Sequence, residues 1–296
     1  MTQMIDSLDA VAADYDALLV DLWGCYHNGV TPYPDALEAL RRYRARAQAA
    51  GALGIVILLT NAPRPSTGVR RFLDAIGAPA EGDTHDGIMS SGEACKRAMN
   101  GGAHGGRYVY IGPERDLGML PDFEGQRVSI EDADCVLLVG FRDDKHEDPS
   151  DYDAEMAAWA ARGIPVLCAN PDTIVDKGAE RLWCAGAIAE RYAERHPEAP
   201  LVWYGKPHAP SYDAAFALLD QLAGQAVARH RVLGIGDGIH TDVRGAHIQG
   251  CDALFISGGI AAPEVGATPE APDPARLEAF FAAKGERPRY AMPFLR

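Results

Sequence analysis

The stretch Val232-Leu233-Gly234-Ile235-Gly236-Asp237-Gly238-Ile239-His240-Thr241-Asp242 runs from an unbroken apolar segment straight into a carboxylate held between two glycines. An apolar run without polar alternation suits a strand covered on both faces, as in a parallel sheet lying between helices. Similar runs recur at Ala17–Val20, Gly54–Leu59, Tyr108–Ile111, Cys135–Val139, Pro165–Ala169, Leu201–Tyr204 and Ala253–Ile256. Helical patterns lie between them. Asp35–Ala50 follows Pro34 and stops at Gly51, while Ser66–Ile76 and Ser211–Leu222 end near Gly77 and Gly224. Proline just before a helix and glycine just after it are the expected punctuation. Alternating strand and helix predicts an α/β protein.

Ligands of open α/β sheets bind beyond the carboxyl ends of the strands, so the residues that directly follow each run matter most. Asp21 follows the first run, Thr60-Asn61 the second, Gly205-Lys206-Pro207 a later one and Gly236-Asp237-Gly238 the next. The middle runs end instead in Gly112-Pro113, Gly140-Phe141 and Asn170-Pro171-Asp172. This uneven distribution predicts a catalytic sheet built from both ends of the chain, with a separate unit between them. Two carboxylates, an ammonium and a hydroxyl on loops at one sheet edge suit phosphoryl transfer. Magnesium binds carboxylate oxygens while touching phosphate, and Lys206 with the loop amides can neutralise phosphoryl oxygens. A carboxylate can also attack phosphorus to form an aspartyl phosphate. Asp21 stands first in its loop, and Gly24 permits close backbone approach. Each piece has a plain structural alternative. A strand-end aspartate often shapes a turn, Thr60 can cap the helix that begins near Ser66, and a lysine is most often solvated. Arg64 lies near the N-terminus of that helix, where the macrodipole disfavours a cation unless an anion binds. The four sites in their order are more specific than any one of them.

A length of 296 residues predicts two domains. The 28 basic and 42 acidic residues give a net charge of −14, which disfavours nucleic acid and anionic membranes as partners. No two of the six cysteines lie within ten residues of each other, so no CxxC metal or redox pair is present. No apolar stretch reaches the roughly 18 residues of a membrane span, and Met1–Tyr15 lacks the layout of a signal peptide. The expectation is a soluble, cytoplasmic protein with reduced thiols. Two nucleotide-binding readings fail on particular residues. Gly234-Ile235-Gly236 imitates a dinucleotide turn, but Ile239 occupies the third glycine position and Asp237 would repel a pyrophosphate. A P-loop requires Ser or Thr after its lysine, where Pro207 stands.

The four segments in order resemble the haloacid dehalogenase (HAD) superfamily of phosphohydrolases, and within it the class IIA group with a C2-type cap between the second and third motifs. The first motif looks like Asp21-Leu22-Trp23-Gly24, the second Leu59-Thr60-Asn61 and the third Gly205-Lys206-Pro207. The fourth is the Gly236–Asp242 stretch, continuing through Gly245-Ala246 and Gly250 to Ser257-Gly258-Gly259. The resemblance implies a doubly wound, Rossmann-like parallel-sheet core from residues 1–84 and 204–296, and an inserted α/β cap from 85–203 that selects the substrate. It implies Asp21 as nucleophile and Mg2+ ligand, and Asp237 as a second ligand with Asp242 in or just behind the coordination shell. The backbone carbonyl of Trp23 would be a further ligand. Thr60 would hold the phosphoryl group with Asn61 beside it, and Lys206 would stabilise both Asp21 and the phosphate. Ser90–Ala94 and Asn170-Pro171-Asp172 resemble class IIA landmarks at the cap, so Asn170 and Asp172, with Arg64, are candidates for substrate contact. The implied partner is a small phosphorylated metabolite, and pairing of relatives through their caps implies a homodimer.

The sequence departs from this family at one position. HAD phosphatases usually carry a second aspartate two residues after the nucleophile, to protonate the leaving group and then activate water. Trp23 stands there and can do neither, a loss that typically costs about 10²–10⁴-fold in rate. His27 is the leading replacement, because an ordinary histidine titrates near neutral pH; Tyr26 and His240 follow. Alternatively the substrate has a good leaving group, such as an acyl or aryl phosphate, or the protein binds a phosphorylated ligand without hydrolysing it.

Overall fold

The computed structural model describes residues 2–117, 125–177 and 180–296. Seven strands form one sheet in the order Gln3–Met4, Tyr290–Met292, Asp252–Ile256, Val232–Gly236, Ala17–Val20, Ile55–Thr60 and Gly87–Ser90. The first six pair in parallel along that order. Ala17–Val20 and Val232–Gly236 are buried along their whole lengths, which explains their unbroken apolar sequences. Register then sets the site. Val20 pairs with both Ile235 and Leu58, so Asp21, Thr60 and Asp237 leave adjacent strands at the same sheet edge. The helix Pro34–Ala50 begins on its proline and stops at Gly51, whose φ of 68° is the left-handed value that glycine adopts without strain.

A second sheet of five parallel strands has the order Leu201–Trp203, Val166–Cys168, Cys135–Leu138, Arg107–Ile111 and Gln126–Arg127. Its core gathers Phe141, Tyr152, Met156, Trp159, Ile188 and Tyr192. An antiparallel pair, Ile174–Lys177 with Glu180–Trp183, stands apart from it. The chain divides into two compact units: Met1–Thr60, Arg70–Met89 and Tyr212–Arg296 form one, and Asn61–Val69 with Ser90–Ser211 form the other. Each unit contains one of the large sheets. The run leading to Lys206 belongs to the five-stranded sheet, where Trp203 pairs with Cys168, rather than to the sheet that carries Asp21. Among the described residues no helix is long and apolar enough to cross a membrane. All six cysteines are buried as thiols, outside any disulfide.

Two histidines of the first unit are buried without charge. The ring of His85 lies 3.1 Å from Arg70 Nη1 and 3.2 Å from Thr84 Oγ1. Burial pulls both His27 and His85 down to about 4, whereas an unfolded histidine titrates near 6.5. Unfolding therefore takes up protons between those values, and the stability present above about pH 6.5 is lost as pH falls toward 4. Each histidine contributes a slope of up to about 1.4 kcal/mol per pH unit. Denaturant unfolding at pH 7.5 and at pH 5 should show the lower midpoint at pH 5; an unchanged midpoint contradicts the burial of neutral rings.

Candidate active site

The loop after Ala17–Val20 is drawn tight by its own backbone. Asp21 N donates to Ile235 O at 2.8 Å, Tyr26 N and His27 N donate to Leu22 O at 2.8 and 3.0 Å, and Gly24 N donates to His27 O at 3.0 Å. This folding brings Gly24, at φ 79°, against Asp237: a Cβ there would stand 2.2 Å from Asp237 Oδ2. Gly259 presses from another direction, where a Cβ would stand 2.1 Å from the same oxygen. Ile260 N donates to Asp237 Oδ2 at 2.9 Å. The cradle thus requires glycine at two positions and fixes the orientation of one carboxylate.

Asp21 is 9% exposed and Asp237 7%. Two carboxylates brought this close to a dry interior need positive charge to remain ionised together. Asp21, Cys25 and Asp237 each present a ligand atom, and these atoms lie within 4.8 Å of one another. The two carboxylates suit Mg2+, which takes oxygen donors and keeps part of its water shell. Asp242 lies on the turn that follows Asp237. Its Oδ2 accepts from Gly238 N at 3.0 Å and Thr241 Oγ1 at 3.3 Å, fastening the turn that carries Asp237.

In the other unit, Lys206 is buried and its peptide is bracketed by Asn61. The Asn61 Oδ1 accepts from Lys206 N at 2.7 Å, while Nδ2 donates to Lys206 O at 3.2 Å and to Asp172 Oδ1 at 2.8 Å. Gly205, at φ 110°, leaves room for Pro171, since a Cβ would stand 2.4 Å from the Pro171 ring. Asn170 Oδ1 accepts from Asp172 N at 3.1 Å. The sequence predicts Asn61 beside the phosphoryl group, and Asn170 and Asp172 on the substrate. These bonds make Asn61 a support of the Lys206 loop, with Asp172 tied to it through the same amide. Removing the amide in Asn61→Ala strands buried polar groups at about 1–3 kcal/mol each. The variant should unfold at a markedly lower denaturant concentration than wild type; an equal midpoint contradicts the bracket.

The loop that follows Asn61 is gripped by the segment Ser90–Glu93. Ser91 Oγ donates to Asn61 O at 2.7 Å and Ala62 O at 2.9 Å, and Ser90 Oγ donates to Arg64 O at 2.5 Å. Glu93 Oε2 accepts from Ser66 N at 3.1 Å, so the capping task that the sequence allows for Thr60 is met by Glu93. Arg64 is exposed, and its bond to Ser90 uses only its carbonyl. The Ser-Ser-Gly-Glu string is plain in the sequence, but its backbone partners lie 26 to 30 residues earlier.

His27, the candidate replacement acid–base, is buried with its ring held neutral. It is 2% exposed, its Nδ1 accepts from Gly29 N at 3.0 Å, and burial pulls its pKa down to about 4, which favours the neutral ring. Its ring stands edge-on between Trp23, at 5.7 Å, and Phe72, at 5.3 Å. Tyr26 is buried with its hydroxyl 2.8 Å from Thr84 Oγ1, and burial pushes its pKa up. His240 is exposed on the turn after Asp237. Trp23 itself is 50% exposed and rests on Gly29, where a Cβ would stand 2.4 Å from the indole.

A hydrolase of the haloacid dehalogenase-like family from Brucella suis 1330 is 34% identical, over 99% of this chain and 100% of that one, with a TM-score of 0.79. The chain belongs to the haloacid dehalogenase-like hydrolase family. The family model of haloacid dehalogenase-like hydrolases matches residues 18–124, and a second HAD-hydrolase-like model matches residues 203–278. A p-nitrophenyl phosphatase from Archaeoglobus fulgidus shares the HAD fold at 18% identity, covering 95% of this chain and 97% of its own, with a TM-score of 0.69. A glycerol phosphate phosphatase from Mycobacterium tuberculosis, in complex with calcium, does so at 24% identity, covering 84% of this chain and 68% of its own, with a TM-score of 0.62. Comparison with curated proteins gives no match. The class IIA resemblance of the sequence therefore agrees with a HAD chain whose first motif ends in Trp23-Gly24.

Proposed function

We propose that this HAD hydrolase is a magnesium-dependent phosphatase of a small phosphorylated metabolite, with Asp21 as the nucleophile. The observation that carries the reading is the buried Asp21–Asp237 pair, with Asp237 cradled by Gly24 and Gly259. Asp21 and Asp237, with the backbone carbonyl of Trp23, would hold the ion. Bound there, Mg2+ supplies the positive charge that lets a carboxylate approach an anionic phosphoryl group. Asp21 then attacks phosphorus, forming an aspartyl phosphate as the ester oxygen departs. The Thr60 hydroxyl would orient the phosphoryl group and Lys206 would neutralise its oxygens. Residues 1–84 and 204–296 would act as the catalytic core and 85–203 as the substrate-selecting cap. Six buried thiols outside any disulfide suit a reducing cytoplasm.

Trp23 shapes the kinetics in this reading. With an indole in place of the second aspartate, and with His27 neutral and Tyr26 engaged, the leaving group departs without a proton from that loop. Aryl and acyl phosphates tolerate this; alkyl phosphates do not. The ester that names the Archaeoglobus relative, p-nitrophenyl phosphate, is of the tolerant kind. Phosphate release with Mg2+ from a panel of aryl, acyl, sugar and nucleotide monophosphates tests the proposal. The aryl and acyl esters should turn over at least about 10²-fold faster than the alkyl ones. Absence of release from every ester favours the second reading, a phosphate-ligand binding protein, to which Trp23 and the neutral His27 also lend weight.

A further inference from the structure

The proposed metal site contains a donor that Mg2+ does not use. We infer that Asp21, Cys25 and Asp237 together form a three-donor site that binds a borderline divalent ion, Zn2+ or Co2+, through a bond to the Cys25 sulfur, whose thiol proton is released to solvent as the bond forms. Cys25 is 1% exposed, and its Sγ lies within 4.8 Å of ligand oxygens of both carboxylates, which are in turn that close to each other. Among the described residues this is the one such grouping of His, Cys, Asp and Glu. The other five cysteines take no part in it.

The turn makes this position well defined. Leu22 O accepts from both Tyr26 N and His27 N, and Gly24 N donates to His27 O; Cys25 lies inside those bonds. Asp237 is oriented independently by Ile260 N. A tetrahedral ion with bonds of about 2.0–2.2 Å to oxygen and about 2.3 Å to sulfur needs its donors roughly 3.5 Å apart. Donors already within 4.8 Å reach that spacing by shifts of about an ångström. Three protein donors with a fourth position open to water or phosphate is the pattern of catalytic zinc. Mg2+ takes hard oxygen donors, whereas Zn2+ and Co2+ accept thiolate and bind more tightly to mixed donor sets. The same two carboxylates therefore hold Mg2+ without the sulfur and a borderline ion with it, and the borderline ion displaces Mg2+.

The inference rests on the metal-binding part of the proposed function, and its test is spectroscopic, so it stands or falls whether or not any ester is hydrolysed. Co2+ titrated into the wild-type protein should produce a near-ultraviolet sulfur-to-cobalt charge-transfer band that saturates at one equivalent. Zn2+ should abolish the band stoichiometrically, while a large excess of Mg2+ should leave most of it. Cys25→Ser should bind Co2+ without the band, and Asp237→Asn should need far more Co2+ to develop it. Where Cys25→Ser does not fold, Cys25→Val keeps the buried position apolar and must also lack the band. Saturable Co2+ binding to wild type with no charge-transfer band overturns the inference. So does a band of undiminished intensity in either cysteine variant, or one that forms equally well in Asp237→Asn. Loss of phosphatase activity across all esters, with the band intact, would count against the proposed reaction and leave the three-donor site standing.

Discussion

Asp21→Asn is expected to release phosphate at least about 10³-fold more slowly than wild type, with Mg2+ in excess and the fold unchanged. The amide cannot attack phosphorus, and it also removes one of the two charges that would hold the ion. The substitution is nearly isosteric, and the backbone bond from residue 21 N to Ile235 O does not involve the side chain. Wild type and variant should therefore unfold at similar denaturant concentrations in the absence of metal. Release measured from an aryl phosphate checks the prediction. A variant that retains wild-type turnover would place the nucleophile elsewhere.

Trp23→Asp carries the second large effect, in the opposite direction. Restoring a carboxyl group two residues after the nucleophile should raise turnover of alkyl phosphates by about 10²–10⁴-fold. The gain for aryl phosphates should be much smaller, because their leaving groups need little protonation. Trp23 is half-exposed, so its removal opens no buried cavity; the indole rests on the edge of the His27 ring and on Gly29. Steady-state rates on a matched aryl and alkyl pair separate the two cases. If Trp23→Asp folds, binds Mg2+ and gains nothing on the alkyl ester, the missing proton donor is not what limits this enzyme.

Much of this architecture is legible because strands buried on both faces have no polar residues to interrupt them. The eight apolar runs each coincide with a strand, and the carboxylates that end two of them, Asp21 and Asp237, meet because Val20 and Ile235 pair. Other strands of the main sheet carry no such signal. Gly87–Ser90 has four residues, and Tyr290–Met292 has three within a stretch of arginine and proline, yet the latter pairs with Asp252–Ile256 inside the main sheet. Nor does a sequence show which polar side chains are already occupied. Asn61 reads as a phosphate neighbour, and nothing local shows that its amide also brackets Lys206, 145 positions away. His27 reads as an acid–base, and nothing local shows that burial favours its neutral ring. Cys25 reads only as one of six reduced thiols, and the folding of its turn is what brings its sulfur near Asp21 and Asp237. In each case the local sequence specifies the chemical group, and long-range packing decides its state.

The proposed phosphoryl group on Asp21, expected to discharge slowly because Trp23 cannot activate water, would be observed most directly by acid-quenching the wild-type enzyme during turnover and mapping its peptides by mass. With Mg2+ and an excess of a small acyl phosphate, the peptide that contains Asp21 should gain one phosphoryl group on a large fraction of molecules, and Trp23→Asp should clear it. Steady phosphate release with that peptide unmodified in both proteins would contradict the assignment of Asp21 as the nucleophile.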